Sequence, residues 1–309
     1  MFLFAIYFIV IPVLIYGSLF IKRSKPAYSI VRDIGLGLTS LVILTFILRW
    51  DLASTYVRPL VIPLYVAIAV FAYRHHWRRI FEEVLALSWQ RKLKACFMAV
   101  VIPLTAFFVL VARLSDDAGA LVLQWPLEPG VYFVAQGGSS ELFNHHYSVV
   151  AQRYAVDLTE LDKTGRHATS IMPSSLKKYH INEKQIVSPC AGQIVALDRT
   201  WEPRDVRSSN RTAPAGNYVA LHCDGHTVVL AHFSRLEDIA IGEVLGIGEP
   251  LGLVGSTGNS TEPHLHIHAV LGNVSEYDDL MYNSVGVPML FNGRFLKRND
   301  IFELPNAEG

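Results

Sequence analysis

The chain has 309 residues, 51% hydrophobic and 17% charged, with 27 basic side chains, 27 acidic ones and three cysteines. That length suits about two domains, and the composition excludes a disordered chain and a disulfide-dense miniature fold. A formal net charge of zero excludes a charge-driven nucleic-acid binder, so no nucleic-acid partner is expected.

The zero conceals two unlike halves. Up to Arg113 the balance is 13 basic against 4 acidic residues, 13 − 4 = +9; the remainder has 14 against 23, 14 − 23 = −9, and holds ten of the 12 histidines. In chain order, Phe2–Ile21 is almost wholly apolar, broken only by Pro12, and Lys22, Arg23 and Lys25 follow it. About 20 residues at about 1.5 Å each cross a hydrocarbon core of about 30 Å. A basic cluster after the run, not before it, predicts an anchor and not a cleaved signal peptide. Three further apolar runs, Ile34–Leu48, Pro59–Tyr73 and Ala95–Ala112, extend this to an α-helical membrane region of about four spans over residues 1–113, with the lipid bilayer as partner. The middle two are short and span only if Arg49, Arg58 and Arg74 snorkel while Trp50 and Tyr56 lie at the interface. Loops 22–33 and 74–94 hold four and six Lys/Arg. The positive-inside rule places them in the cytoplasm and everything after Arg113 outside.

Residues 114–130 read as a linker, and from about Leu121 the texture changes. Short strand-like runs bounded by Gly, Pro and Asn recur at Val131–Ala135, Gln193–Leu197, Tyr218–His222, Thr227–His232 and Leu265–Val270, predicting an all-β domain over 131–309. Ser174–Tyr179 predicts a short helical turn, and Asp224-Gly225 a turn between strands. Two polar loops, 161–184 and 199–216, are long enough to be functional. Cys96 reads as packing. Cys190 and Cys223 each end a predicted strand and are either a bridge or two buried thiols.

The chemistry gathers in Pro263-His264-Leu265-His266-Ile267-His268. In a strand, alternate side chains share a face, so His264, His266 and His268 point one way and Leu265 and Ile267 the other. A single strand histidine is usually a hydrogen-bonded residue. Several on one face without nearby carboxylates point to metal or catalysis, and imidazole suits zinc. By its distance along the strand His268 reads as supporting the site or lying at its rim. Asn217 reads as structural, and Gly255 and Gly258 as positive-φ positions.

Upstream of this segment stand Gly255-Ser256-Thr257-Gly258, Ala231-His232-Phe233, Asn217-Tyr218-Val219-Ala220-Leu221, Ser188-Pro189-Cys190-Ala191-Gly192 and Arg153-Tyr154-Ala155-Val156-Asp157. Over about residues 130–272 this order resembles the lysostaphin/LytM-type zinc endopeptidase family, whose members have an antiparallel β core and cleave peptide bridges or stems in bacterial cell walls. The resemblance implies a LytM-like C-terminal domain and a Zn2+ cofactor. It implies Asp157 and His266 as metal ligands, His232 and His264 as the catalytic histidines, and a peptidoglycan peptide as substrate. The chain departs from the family at the first ligand. Where the family commonly has His four residues before the Asp, Arg153 stands here, so an inserted loop is expected to supply His146, with His145 as the alternative. Tyr154 could add a hydrogen bond to an oxyanion. With the apolar half, this predicts an integral protein of the bacterial cell membrane, its C-terminal domain periplasmic or extracellular, acting as a zinc metalloendopeptidase. The alternatives are a metal-binding regulatory module of little turnover that recruits cell-wall enzymes, or a helical transport or assembly subunit with a β sensor domain.

Overall fold

The computed structural model describes residues 11–17, 28–112, 114, 117–208, 210 and 212–305. Met1–Ala112 and Arg113–Gly309 form two compact units.

The first unit is helical: α1 (Ile11–Gly17), α2 (Tyr28–Ile47), α3 (Arg58–Leu85) and α4 (Trp89–Val111). Pro59 sits in the first turn of α3, where a missing N–H costs nothing, whereas Pro63 and Pro103 lie inside helices. Leu41, Tyr65, Ala69 and Ala72 form a buried cluster. The Tyr65 hydroxyl donates to the carbonyls of Asp33 and Ile34 at 3.2 and 3.1 Å, fastening α3 to α2.

Among the described residues no helix is long and apolar enough to cross a membrane. That overturns the expected four-span region and, with it, the expectation of an integral membrane protein with its C-terminal domain held outside. The apolar stretches Ile34–Ile47, Pro59–Tyr73 and Ala95–Val111 rise only about 21, 22 and 26 Å, short of a core of about 30 Å. α3 does not stop at the end of its apolar run; it continues as one helix through Arg74, Arg78, Arg79, Glu82 and Glu83 to Leu85. Apart from α1, the expected first run Phe2–Ile21 and its basic cluster lie outside the described residues.

The second unit is built of strands β1 (Leu121–Leu123), β2 (Gly130–Gln136), β3 (Val156–Glu160), β4 (Gln185–Val187), β5 (Gly192–Asp198), β6 (Asn217–Cys223) and β7 (His226–Leu236). After these come β8 (Val244–Leu245), β9 (Pro250–Val254), β10 (Leu265–Leu271), β11 (Gly286–Val287), β12 (Met289–Phe291), β13 (Arg294–Phe295) and β14 (Ile301–Leu304). The main sheet runs β14-β2-β3-β10-β7-β6-β5-β8, with β11 on β10 and β9 joining β7 to β4. Its pairings are antiparallel, while β1 pairs parallel with β12 in a separate small sheet. The stretch expected as a linker therefore carries β1, and its Trp125 is buried, stacked on Phe302 with ring centroids 4.1 Å apart.

Alternation along the central strands separates two faces. Val219, Leu221, Val228, Leu230, Leu265 and Ile267 point into the main core. Ala196, Tyr218, Ala220, Val229, Ala231 and Val270 line the other face, against Leu280 and Met281. Cys190 and Cys223 form a disulfide across the loop they close. The expected helical turn near Ser174–Tyr179 is a single 3-10 turn, Leu176–Lys178.

Candidate metal centre

The site lies on the second face of the sheet, at the centre of the strand order. Register places Asp157 of β3 directly across from His266 of β10, and His266 directly across from Ala231 of β7. Opposed residues of antiparallel strands share a face. Asp157 and His266 therefore meet because of pairing.

His232 should by the same alternation point into the main core beside Leu230. It does not, because β6 and β7 slip register between Asn217/Phe233 and Tyr218/Ala231, leaving His232 as an extra residue with φ +69°. A bulge re-aims a side chain, and a left-handed non-glycine backbone costs roughly 1 kcal/mol. The turned ring lies 4.7 Å from that of His264 and 5.7 Å from that of His266, centroid to centroid.

Asp157 is the hub. His146 Nε2 lies 3.2 and 3.0 Å from its two oxygens, His266 Nδ1 lies 2.9 Å from Oδ1, and His264 Nε2 lies 3.8 Å from Oδ1. His145 and His146 offer ligand atoms within 4.8 Å of one another and of Asp157. The His145 ring lies 3.9 Å from that of His146, tilted by 36°, and is exposed, whereas His146 aims its ring nitrogen at the carboxylate. Burial alone raises the Asp157 pKa, but the surrounding imidazoles, His146 and His264 foremost, outweigh it and hold the carboxyl well below its ordinary value. Burial lowers His266 to about 3 and drives His232 well below its ordinary value. These imidazoles are therefore neutral near pH 7, the state that ligates metal or accepts a proton.

Backbone carbonyls, which only accept, fix two tautomers. His232 Nδ1–H donates to Thr257 O at 2.8 Å and His264 Nδ1–H donates to Glu262 O at 2.9 Å. In the neutral form, each ring then has its lone pair on Nε2. A carboxylate and two imidazole nitrogens at one point form a donor set that fits zinc. Arg153, which stands where the family commonly has a ligand, instead places its guanidinium over the Tyr147 ring, 5.2 Å from its centroid. Tyr154 packs edge-on against Tyr147 and Phe295.

Several supporting residues escaped the sequence reading. Asn144 is buried; its Oδ1 accepts from His146 N–H at 3.1 Å, and its Nδ2 donates to Gly138 O and Ala155 O at 3.1 and 3.0 Å. It thus ties the turn bearing His146 to the strand bearing Asp157, and a lone Asn before two His is the only trace of this in the sequence. Thr257 holds His232 through its carbonyl, while its Oγ1 donates to Phe233 O and accepts from Asn217 N–H, both at 3.0 Å. Gly258 has positive φ as expected, and a Cβ there would collide with the backbone at Gly216 and Pro214. Gly255 does not have positive φ; it is required because a Cβ would collide with the Ser234 backbone. His167 is buried, with Nε2 3.3 Å from Glu262 Oε2, so loop 161–184 is fastened beside His264. Arg207 joins that loop to loop 199–216 through Met172 O, and its N–H donates to Thr261 O at 2.8 Å.

Residues 178–276 match the model of peptidase family M23, so this stretch is a peptidase M23 domain, in agreement with the lysostaphin/LytM-type resemblance. A comparison with curated proteins found no match. Among solved structures, a Pseudomonas aeruginosa protein described as a candidate peptidase M23 is 19% identical, with 54% of this chain and 53% of that chain covered and a TM-score of 0.29. The catalytic domain of lysostaphin from Staphylococcus simulans is 22% identical, covering 33% of this chain and 74% of that one at a TM-score of 0.23. A zinc-containing peptidase from Vibrio cholerae is 15% identical, covering 57% and 38% at a TM-score of 0.25. The chain thus spans about half the length of the Pseudomonas protein.

Proposed function

We propose that this chain, which carries a peptidase family M23 domain, is a zinc metalloendopeptidase that hydrolyses peptide bonds in peptidoglycan cross-links or stems. The observation that carries the reading is the convergence on Asp157 of two kinds of histidine. His146 Nε2, the Asp157 carboxylate and His266 Nδ1 would hold the metal, whereas His232 and His264 stand beside it with their own partners. Zinc bound there would lower the pKa of a bound water and polarise the scissile carbonyl.

The chain's own residues supply the rest. His232 and His264 are each held at Nδ1 by a carbonyl, so each presents Nε2 to the reacting groups. One such nitrogen takes the proton of the attacking water, and the resulting imidazolium delivers it to the leaving amine. Before that delivery, the same imidazolium N–H stands beside the developing oxyanion and offsets its charge. The carbonyl bonds keep both rings from rotating away, so little reorganisation is needed during the reaction. A regulatory module would need the donors but not this second pair, so the site favours turnover.

The test is incubation of the chain with purified peptidoglycan and, separately, with generic proteins, each with and without chelator. Wall peptides released only when metal is present support the reading. Cleavage of generic proteins alone overturns the substrate, and chelator-insensitive release overturns the metal.

A further inference from the structure

His268 is not needed by the chemistry above, yet it is 1% exposed and both its ring nitrogens are engaged. Nδ1 lies 2.9 Å from His266 Nε2, and Nε2 lies 3.0 Å from Leu280 O. Val229 lies directly across the strand pair and Leu280 beside the ring, both members of a buried apolar cluster, where a leucine would bury no polar nitrogens. Burying an imidazole there is costly unless its hydrogen bonds matter.

The proton positions in this chain of contacts are dictated from its far end. A carbonyl oxygen accepts only, so His268 must carry a proton on Nε2. A neutral imidazole has one N–H, so with that proton held on Nε2 by Leu280 O, His268 Nδ1 is a bare acceptor. His266 must then carry its proton on Nε2 to donate across 2.9 Å. His266 Nδ1, which faces Asp157, is left to offer a lone pair.

We propose that His268 is a positioning residue for the metal site, holding His266 in the Nε2–H tautomer and in the orientation that presents Nδ1 to the ion. The inference rests on the metal-site reading given under the proposed function, and it extends that site to Leu280, in the helical turn Asp279–Asn283. Outer partners of this kind change metal affinity by about 10–100-fold when removed. A role in packing alone would be restored by an apolar side chain of similar bulk. A role in positioning would be restored by a hydrogen-bond acceptor.

The experiment uses the full chain and the metal alone. Zinc affinity is measured by chelator competition for the unsubstituted chain, His268→Leu and His268→Asn. Tautomers in the zinc-loaded unsubstituted chain are read by 15N-histidine NMR. The expected results are an affinity about 10–100-fold weaker in His268→Leu, recovery to within a few-fold in His268→Asn, whose side-chain carbonyl accepts from His266, and protons on Nε2 of both His266 and His268. Equal affinity in His268→Leu, or recovery in neither variant while both stay folded, overturns the proposal and leaves the metal site standing. A proton on Nδ1 of His268 in the unsubstituted chain also overturns it, even if neither variant folds. Failure of the unsubstituted chain to bind zinc overturns the metal site itself, and this inference with it.

Discussion

The Asp157 site assigns different losses to neighbouring histidines. His264→Ala removes a group that is anchored by Glu262 O and lies 3.8 Å from Asp157, outside the tight donor contacts. Zinc content should stay near that of the unsubstituted chain while turnover falls about 10²–10⁴-fold, as for loss of a general acid or base; simultaneous loss of zinc would contradict the division of roles. His146→Ala should lose metal affinity and His145→Ala should keep it, since only His146 aims at both Asp157 oxygens; the reverse pattern would exchange the two. Asn144→Ala unpairs the buried carbonyls of Gly138 and Ala155 and frees the His146 turn. It should cost about 1–3 kcal/mol in chemical denaturation and weaken zinc binding as well. At this scale the sequence was partly legible. His264, His266 and His268 on one face follow from strand period alone, and Asp157 and His232 came from the family resemblance. Asn144, Thr257 and Leu280 act through hydrogen bonds across the fold, two of them by backbone carbonyls, which leave no mark on residue type.

Among elements, β2, β5, β6, β7 and β10 were read from the sequence to within a few residues as short apolar runs bounded by turn residues, whereas β3 and the shorter strands were not named. The bulge in β7 was not read. It comes from a register slip between two strands, and His232 in the left-handed region is not a residue that turn chemistry anticipates. Its backbone gives a direct test. His232→Gly and His232→Ala should both abolish turnover, but the Gly variant should be the more stable by roughly 1 kcal/mol because glycine takes φ +69° without strain. Equal stability, or a more stable Ala variant, would remove strain from the account of this bulge. The long loops 161–184 and 199–216 were expected to be functional. His167 and Arg207 join them to Glu262, Thr261 and one another, so they are held beside His264.

For the whole molecule, the two charge halves correspond to two compact units, one helical and one β-rich. Apolar runs located the helices but overstated what they do, because hydropathy does not reveal that α3 continues without a break into a charged segment. The β unit is braced by the Cys190–Cys223 bridge, which the sequence left open because pairing cannot be read from spacing. Replacing both cysteines with alanine should lower the unfolding free energy of that unit by about 2–4 kcal/mol. No change in the denaturation midpoint would contradict a bracing role.

The central claim is that Asp157 and its histidines form a metal site. Zinc content of the purified chain, measured beside Asp157→Ala, tests it most directly. The account predicts about one zinc per unsubstituted chain, as expected for a single site with three protein ligands, and almost none in the variant. A metal-free unsubstituted chain, or a variant that keeps its zinc, would contradict it.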